Sequence, residues 1–132
     1  RLQRLTRGPL CDAWDGPIYL DGGHNADAAQ VLADWAAKQL QPVHGIIGMM
    51  QRKDASTFLE TLAPRLQSLA CVPIDGHADA YSAEKLAQKA GGKAIAADSP
   101  LTAAHAMGMA GSGVLLVTGS LYLAGQVLKN HA

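Results

Sequence analysis

Short and almost unbroken apolar runs recur along the 132-residue chain, and segments with helical spacing lie between them. The runs are PIYLD (17–21), VHGIIGM (43–49), SLACVPI (68–74), KAIAAD (93–98) and GVLLVTG (113–119). Strands whose apolar residues follow one another, instead of alternating with polar ones, are typical of a sheet that is buried on both faces. The pattern therefore predicts an α/β fold: a mainly parallel, Rossmann-like sheet of about six strands with helices on both faces.

The helical segments show apolar faces, and some contain residues that are typical of the beginning or the end of a helix. Pro64 is expected to end or kink the second helix, and the last helix is predicted from about Leu121 to Lys129. Ser82 and Ser99 are predicted N-caps of two helices between these, since a serine oxygen can accept a hydrogen bond from a free amide of the first turn. The first helix is expected to bury one face, which carries Ala28, Val31, Leu32, Trp35 and Leu40.

The N-terminal segment RLQRLTRG alternates apolar and polar positions, with Leu2 and Leu5 on one side. This alternation predicts an edge strand, antiparallel to its neighbour. The following stretch is interpreted as a turn-rich connection because it contains Pro9, Asp12 and Gly16. No internal repeat and no linker divides the chain, so residues 1–132 are expected to form a single domain.

Composition narrows the possible partners. Hydrophobic residues make up 48% of the chain and charged residues 17%, as in globular proteins, and eleven basic residues balance eleven acidic ones. A net charge of zero gives no broad electrostatic surface for nucleic acid or for an anionic membrane, and no apolar run approaches the ~20 residues of a membrane span. Cys11 and Cys71 match no zinc or redox spacing, which is compatible with a reducing cytoplasm. The chain begins on Arg1, so we expect a piece of a longer protein.

Polar residues follow each of the five apolar runs. The segments are DGGHN (21–25), MMQRKD (49–54), DGHADAY (75–81), DSP (98–100) and TGS (118–120). In an open α/β sheet, ligands bind beyond the carboxyl ends of the strands, where loops meet the N-termini of helices. Candidate chemistry is therefore confined to these five loops.

The DGGHN loop offers the most specific groups. Gly22 and Gly23 permit close approach of the backbone, and Asn25 can cap the next helix. The carboxylate of Asp21 suits hydroxyl groups or a metal, and His24 could contact a phosphate or a carboxylate. In the alternative interpretation Asp21 and Asn25 only satisfy turn and cap amides, and His24 lies on the surface.

Two further loops offer groups that could bind an anion. Lys53 is a point charge suited to carboxylate or phosphate, although it could equally be a solvated lysine. The turn VTGS places amides and the Ser120 hydroxyl at the start of the last helix.

Two glycine-containing motifs that bind nucleotides are not found. GMAGSG (108–113) follows a helix and precedes a strand, so it is interpreted as a turn, and no G-x-x-x-x-G-K-[ST] phosphate loop is present. The remaining histidines, His44, His77, His105 and His131, lack metal-ligand spacing.

Four segments together resemble a known family. RLQRL at the start, LDGGHNADAA (20–29), GMMQRKDA (48–55) and VTGSLYLAGQVL (117–128) resemble the C-terminal domain of folylpolyglutamate synthase/dihydrofolate synthase, in the Mur ligase superfamily. The resemblance implies an ATP-dependent amide ligase, in which a carboxylate becomes an acyl phosphate and the amino group of glutamate attacks it. It also implies that the phosphate loop, the Mg²⁺ ligands and most of the folate site belong to an N-terminal domain absent from this chain. The chain alone is therefore not expected to be active.

The resemblance also implies roles for individual residues. Arg1, Asp21, His24 and Asn25 match the nucleotide site: the arginine contacts the nucleotide, Asp21 holds the ribose, and His24, the candidate catalytic residue, lies near the phosphates and the reacting carboxylate. Lys53 and Ser120 match the glutamate site, and no metal ligand is assigned. The chain departs from the family pattern where Gly23 replaces an alanine, Ala26 a proline and Arg52 an acid.

The expected partners follow from the same resemblance. They are ATP, L-glutamate, a folate or dihydropteroate substrate and the enzyme's own N-terminal domain, in a cytoplasmic and monomeric full-length enzyme. Two other hypotheses stay open from the sequence. One is the C-terminal domain of a Mur-type cell-wall peptide ligase, against which GSLYLAG argues. The other is a non-catalytic α/β module that binds a nucleotide or a protein.

Overall fold

The computed structural model describes residues 2–109 and 112–130, and Arg1, one of the predicted nucleotide-binding residues, lies outside them. Six strands form one sheet: β1 (Gln3–Leu5), β2 (Ile18–Leu20), β3 (Val43–Ile47), β4 (Ser68–Cys71), β5 (Ala94–Ala96) and β6 (Val114–Thr118). The helices are α1 (Pro9–Ala13), α2 (Ala26–Ala37), α3 (Ala55–Leu62), α4 (Ala83–Ala90), α5 (Pro100–Gly108) and α6 (Leu121–Lys129), with a 3₁₀ turn at Ala63–Arg65.

The strand order is β1-β2-β6-β3-β4-β5. β1 pairs antiparallel with β2, and every other neighbouring pair is parallel. The predicted α/β class, the mainly parallel sheet and the antiparallel edge strand are thus confirmed. Because β6, the last strand in the sequence, returns between β2 and β3, the loops that follow these three strands meet at one edge of the sheet.

Both faces of the sheet are covered, as the continuous apolar runs predict. On β6, Leu115 and Val117 belong to a core shared with α1, α5 and α6, whereas Val114 and Leu116 belong to a core shared with α2, α3 and α4. Successive residues of a strand point to opposite faces, so a central strand with a helical layer on each side must be apolar at every position.

Side-chain caps begin five of the helices. Ser82 and Ser99 accept hydrogen bonds from Lys85 and Thr102, which confirms both predicted N-caps. Ser120 caps α6, whose bounds agree with the predicted helix, and Asn25 and Asp54 cap α2 and α3. Among the residues described, no helix is long and apolar enough to cross a membrane.

Two local predictions are wrong. Leu40 lies beyond the end of α2 and is fully exposed, and Val31 is 65% exposed, because the buried face of α2 consists instead of small residues and one leucine: Ala29, Leu32, Ala33 and Ala36. The connection predicted to be turn-rich contains α1, which Pro9 begins and which buries Leu10. Proline is favoured in a first turn, where its missing amide hydrogen leaves no helical bond unmade.

Candidate functional site

A cavity of about 130 Å³ lies at the carboxyl ends of β2, β6 and β3. It brings together three of the predicted site residues, His24, Lys53 and Ser120. A larger groove of about 650 Å³ opens at the amino ends of the strands, beside Pro42 and Gln67, but it contains none of the predicted residues. The smaller cavity is therefore the candidate site, and its lining consists of His24, Met50, Arg52, Lys53, Gly119, Ser120, Leu121 and Tyr122.

Glycines allow the site loops to approach one another. Gly119 has a φ of 109°, and a Cβ there would lie 2.4 Å from the carbonyl oxygen of Gly48. The amide of Gly119 donates to the carbonyl oxygen of Gly23 at 3.1 Å. At Gly22 a Cβ would lie 2.3 Å from the side chain of Leu121, at the start of α6. The contact with the backbone of Gly48 therefore excludes a side chain at position 119, whereas at position 22 the exposed side chain of Leu121 would have to move.

Asp21 lies directly after β2 and is only 7% exposed. Its amide donates to the carbonyl oxygen of Val117, which continues the β2–β6 pairing by one step. Its Oδ1 accepts a hydrogen bond from the amide of Gly23 at 2.7 Å. The carboxylate thus forms a hydrogen bond within the glycine loop, and it is not among the residues that line the cavity. Its contact with ribose stays a prediction.

His24 is half-buried and its Nδ1 lies 3.1 Å from the carbonyl oxygen of Gly22. A carbonyl can only accept, so Nδ1 carries the hydrogen and donates it, which leaves Nε2 of the neutral ring as an acceptor. Asn25 is exposed, and its Oδ1 accepts from the amide of Ala28 at 2.9 Å. The structure therefore places Asn25 as a helix cap outside the cavity and His24 on its wall.

Lys53 and Ser120 stand at the starts of two helices that border the cavity. Lys53 precedes Asp54, the N-cap of α3, whose pKa is held below its ordinary value by the side-chain hydroxyl and then the amide of Thr57. Ser120 is 3% exposed, and its Oγ accepts from the amide of Tyr122 at 3.0 Å. A hydroxyl that accepts one hydrogen bond can still donate its own hydrogen to a ligand.

The charge of the lining favours an anion. Arg52 and Lys53 contribute two cationic side chains, and none of the lining residues is acidic. The N-terminus of α6 also faces this edge of the sheet, and the free amides of a helix N-terminus attract negative charge. This arrangement can bind and orient a carboxylate or a phosphate.

One buried polar residue, next in sequence to the cavity-lining Gly119 but not itself in the lining, was not predicted as a site residue. Thr118 is 1% exposed, and its Oγ1 has no hydrogen-bond partner among the described residues. It follows Val117, whose register partner is Leu20, so Thr118 lies beside Asp21 and its side chain is on the same face of the sheet. The only sequence signal for it is its place in VTGS, directly before Gly119 and Ser120.

Of the residues that the structure describes, the remaining histidines and the two cysteines do not line the cavity. His44 is 5% exposed, with Nδ1 at 2.6 Å from the Ser68 hydroxyl and Nε2 at 3.2 Å from the Ser112 carbonyl oxygen, and burial lowers its pKa. Cys11 and Cys71 are free, and burial raises the pKa of Cys71 to about 12. His131 lies outside the described residues. Within the described ranges, no three His, Cys, Asp or Glu side chains are grouped so that they could hold a metal ion.

Comparison with known proteins gives one family match and several structural ones. A family model described as "dihydrofolate synthetase, C-terminal domain" matches residues 11–130. The ligand-free bifunctional folylpolyglutamate synthase/dihydrofolate synthase of Yersinia pestis matches with a TM-score of 0.77 and 26% identity, over 98% of this chain and 30% of that one. Another structure of that enzyme, complexed with AMPPNP and a Mn ion, matches with a TM-score of 0.73 and 26% identity, over 86% and 28%.

Escherichia coli FolC in complex with DHPP and ADP also matches, with a TM-score of 0.73 and 26% identity, over 86% of this chain and 28% of that one. The chain thus spans less than a third of each of these enzymes. A curated ribonuclease 3 from Nitrobacter winogradskyi is 36% identical over 63 residues. That match covers 48% of this chain and 21% of the ribonuclease, which is too little to assign a family.

Proposed function

This chain belongs to the dihydrofolate synthetase C-terminal domain family, and we propose that it is the domain of an ATP-dependent folate–glutamate ligase that helps to position ATP and L-glutamate. The observation that carries the proposal is the cavity in which His24, Lys53 and Ser120 meet beside the N-terminus of α6. These three residues come from three loops that are distant in the sequence, and their side chains all suit an anionic substrate.

Lys53 and Ser120 are proposed to hold a carboxylate of L-glutamate. A lysine ammonium group and a donating hydroxyl are both good partners for a carboxylate, and both residues line the cavity. His24 would lie near the reacting carboxylate, where its ring can accept or donate a hydrogen bond. Together these residues would orient the amino group of glutamate, and correct orientation removes a large part of the barrier for reaction between two bound groups.

ATP would supply the phosphoryl group that activates the folate or dihydropteroate carboxylate as an acyl phosphate. Asp21 is proposed to contact the ribose and Arg1 the nucleotide, in keeping with the family resemblance. The ADP and the AMPPNP with Mn in the related structures support a nucleotide and a divalent ion in the family. In keeping with the same resemblance, the ligands of Mg²⁺ and the phosphate loop are proposed to belong to the N-terminal domain of the full-length ligase.

The folate branch is preferred to a cell-wall peptide ligase because the matching family model is that of dihydrofolate synthetase. The ligase that carries this domain should therefore use dihydropteroate or a folate, and not a UDP-sugar peptide, as the acceptor of glutamate. The isolated chain should catalyse no sustained ligation. Preference for a UDP-sugar substrate, or sustained ligation by the 132-residue chain alone, would contradict the proposal.

Substitution of His24 tests the site itself. In the ligase that carries this domain, His24→Ala should lower kcat/KM for ATP-dependent glutamate ligation by about 10²-fold or more, the range typical for groups that act on a reacting centre. His105→Ala is the matched control, because His105 is exposed on α5, away from the cavity. Equal catalytic efficiency for His24→Ala and the control would show that the site is misassigned.

A further inference from the structure

Arg52 is a second cation on the cavity wall, next to Lys53. Its Nη1 lies 3.6 Å from Oδ2 of Asp79, and the two side chains are 57% and 65% exposed. An N–H···O hydrogen bond spans about 2.7–3.2 Å, so this contact is an ion pair without a direct hydrogen bond. The five N–H donors of the guanidinium group have no hydrogen-bond partner among the described residues. Arg52 also lines the cavity, whose lining contains no acid.

Asp79 is held near Arg52 by the backbone. The amide of Gln51 donates to the carbonyl oxygen of Asp79 at 2.9 Å, and the amide of Tyr81 donates to that of Met49 at 2.9 Å. An antiparallel bridge between Met50 and Ala80 lies between these bonds. The loop after β3 is therefore fastened to the loop after β4, and the position of Asp79 does not depend on its weak ion pair.

Exposed ion pairs are weak, because water screens them and two side chains must be ordered to form them. A substrate carboxylate that approaches the cavity could therefore displace Asp79 from Arg52 at small cost. An arginine fork also matches a carboxylate better than a lysine does, since it can donate two parallel hydrogen bonds.

We infer that Arg52 is a second carboxylate-binding residue of this cavity and that Asp79 occupies its guanidinium group until the substrate arrives. This inference rests on the proposed function, and it deepens that function by stating why the site selects a dicarboxylate: Lys53 and Ser120 hold one carboxylate of L-glutamate and Arg52 holds the other.

Two substitutions should have opposite effects on the KM for L-glutamate in the ligase that carries this domain. Arg52→Gln removes a charged partner of the substrate and should raise KM about three- to tenfold. Asp79→Asn removes the internal competitor and should lower KM about twofold. Both should leave the KM for ATP unchanged. Arg52→Lys keeps the charge but loses the fork, so its KM should lie between those of the wild type and Arg52→Gln.

Matched controls separate this effect from a general change of charge. Arg65→Gln removes an exposed arginine at the opposite end of the sheet, and Asp75→Asn removes an exposed acid from the loop that carries Asp79. Neither control should change the KM for L-glutamate. L-glutamine and 4-aminobutyrate, which each lack one carboxylate of glutamate, add a test of specificity: Arg52→Gln should reduce the preference for glutamate over one of the two analogues.

The outcomes distinguish this inference from the function on which it rests. If Lys53→Ala raises the KM for glutamate whereas Arg52→Gln and Asp79→Asn leave it unchanged, the inference is overturned and the proposed function stands. The same holds if both substitutions shift KM in one direction. If the wild-type ligase shows no saturable use of L-glutamate, both are overturned. Shifts of opposite sign, with silent controls, support the inference.

Discussion

Gly119 donates its amide hydrogen to the carbonyl oxygen of Gly23 across 3.1 Å, and this bond joins the loop after β6 to the loop after β2. The two loops carry Ser120 and His24, so the geometry of the cavity depends on the contact. Gly119 can make it only because its φ of 109° lies where residues with a side chain are strained, and because a Cβ would lie 2.4 Å from the Gly48 carbonyl oxygen.

Gly119→Ala should therefore damage both stability and function. We expect a loss of about 1–3 kcal/mol in the free energy of unfolding from backbone strain alone, and a further loss from the contact with Gly48. Urea denaturation followed by circular dichroism measures this. Gly125→Ala is the control: Gly125 lies within α6, a Cβ there meets nothing within 4 Å, and the change should be neutral or stabilising by up to about 1 kcal/mol. Equal stability of the two variants would contradict the structural role of Gly119.

The Thr118 hydroxyl is buried without a hydrogen-bond partner in the part of the chain that the structure describes. Leaving a buried polar group unpaired costs about 1–3 kcal/mol, so Thr118→Val, which has nearly the same shape, should raise the free energy of unfolding by about 1 kcal/mol. Thr118→Ser keeps the hydroxyl and loses a methyl group, so it should be less stable than the wild type. A Val variant less stable than the Ser variant would show that the hydroxyl is satisfied in solution.

Ser120 is both a helix cap and a proposed ligand of glutamate, and Ser99 is a helix cap alone. Alanine at either position should lower the free energy of unfolding by about 1 kcal/mol, because each substitution leaves an amide of the first turn without its partner. Only Ser120→Ala should also raise the KM for L-glutamate in the ligase that carries this domain. If both variants or neither raise KM, then Ser120 acts only as a cap.

The sequence predicted which segments form strands and that helices cover both faces of the sheet, but it did not predict the order of the strands within the sheet. Burial on both faces requires apolar residues at every position of a central strand, so β3 and β6 were visible as continuous runs. Which strands lie beside β3 and β6 depends on how the connecting helices cross the sheet. No local sequence pattern indicates that β6 returns between β2 and β3. The face of α2 was misjudged because alanines form most of the buried stripe, whereas the larger Val31 and Leu40 are exposed.

In the candidate site, too, some features could be predicted from the sequence and others could not. Loops that follow apolar strands are recognisable in a sequence, so Asp21, His24, Lys53 and Ser120 could be chosen as candidates, and the family resemblance supplied their expected roles. The ion pair between Arg52 and Asp79 and the unpaired hydroxyl of Thr118 could not, since each depends on two loops or two strands that only the folded chain brings together.

His44 makes stability depend on pH. Burial holds its pKa below the ordinary value of 6.5, so the folded protein keeps the ring neutral at a pH where the unfolded chain already binds a proton. Stability from this residue is therefore complete above about pH 6.5 and falls as the pH drops from there towards the lower pKa of the folded state. The free energy of unfolding, measured between pH 7.5 and about pH 5, should decrease, and His44→Gln should flatten the slope in this range. An unchanged slope in the variant would contradict the assignment.

The most direct test of the proposed function concerns Lys53, whose side chain caps no helix and lines the cavity. The measurement is kcat/KM for L-glutamate in the ligase that carries this domain, with Lys53→Ala compared with Lys38→Ala, a lysine at the end of α2 outside the cavity lining. We expect Lys53→Ala to lower kcat/KM at least about tenfold, the effect of losing one charged hydrogen bond, with the KM for ATP unchanged. Values for Lys53→Ala equal to those of the wild type and of Lys38→Ala would contradict the assignment of this cavity to glutamate.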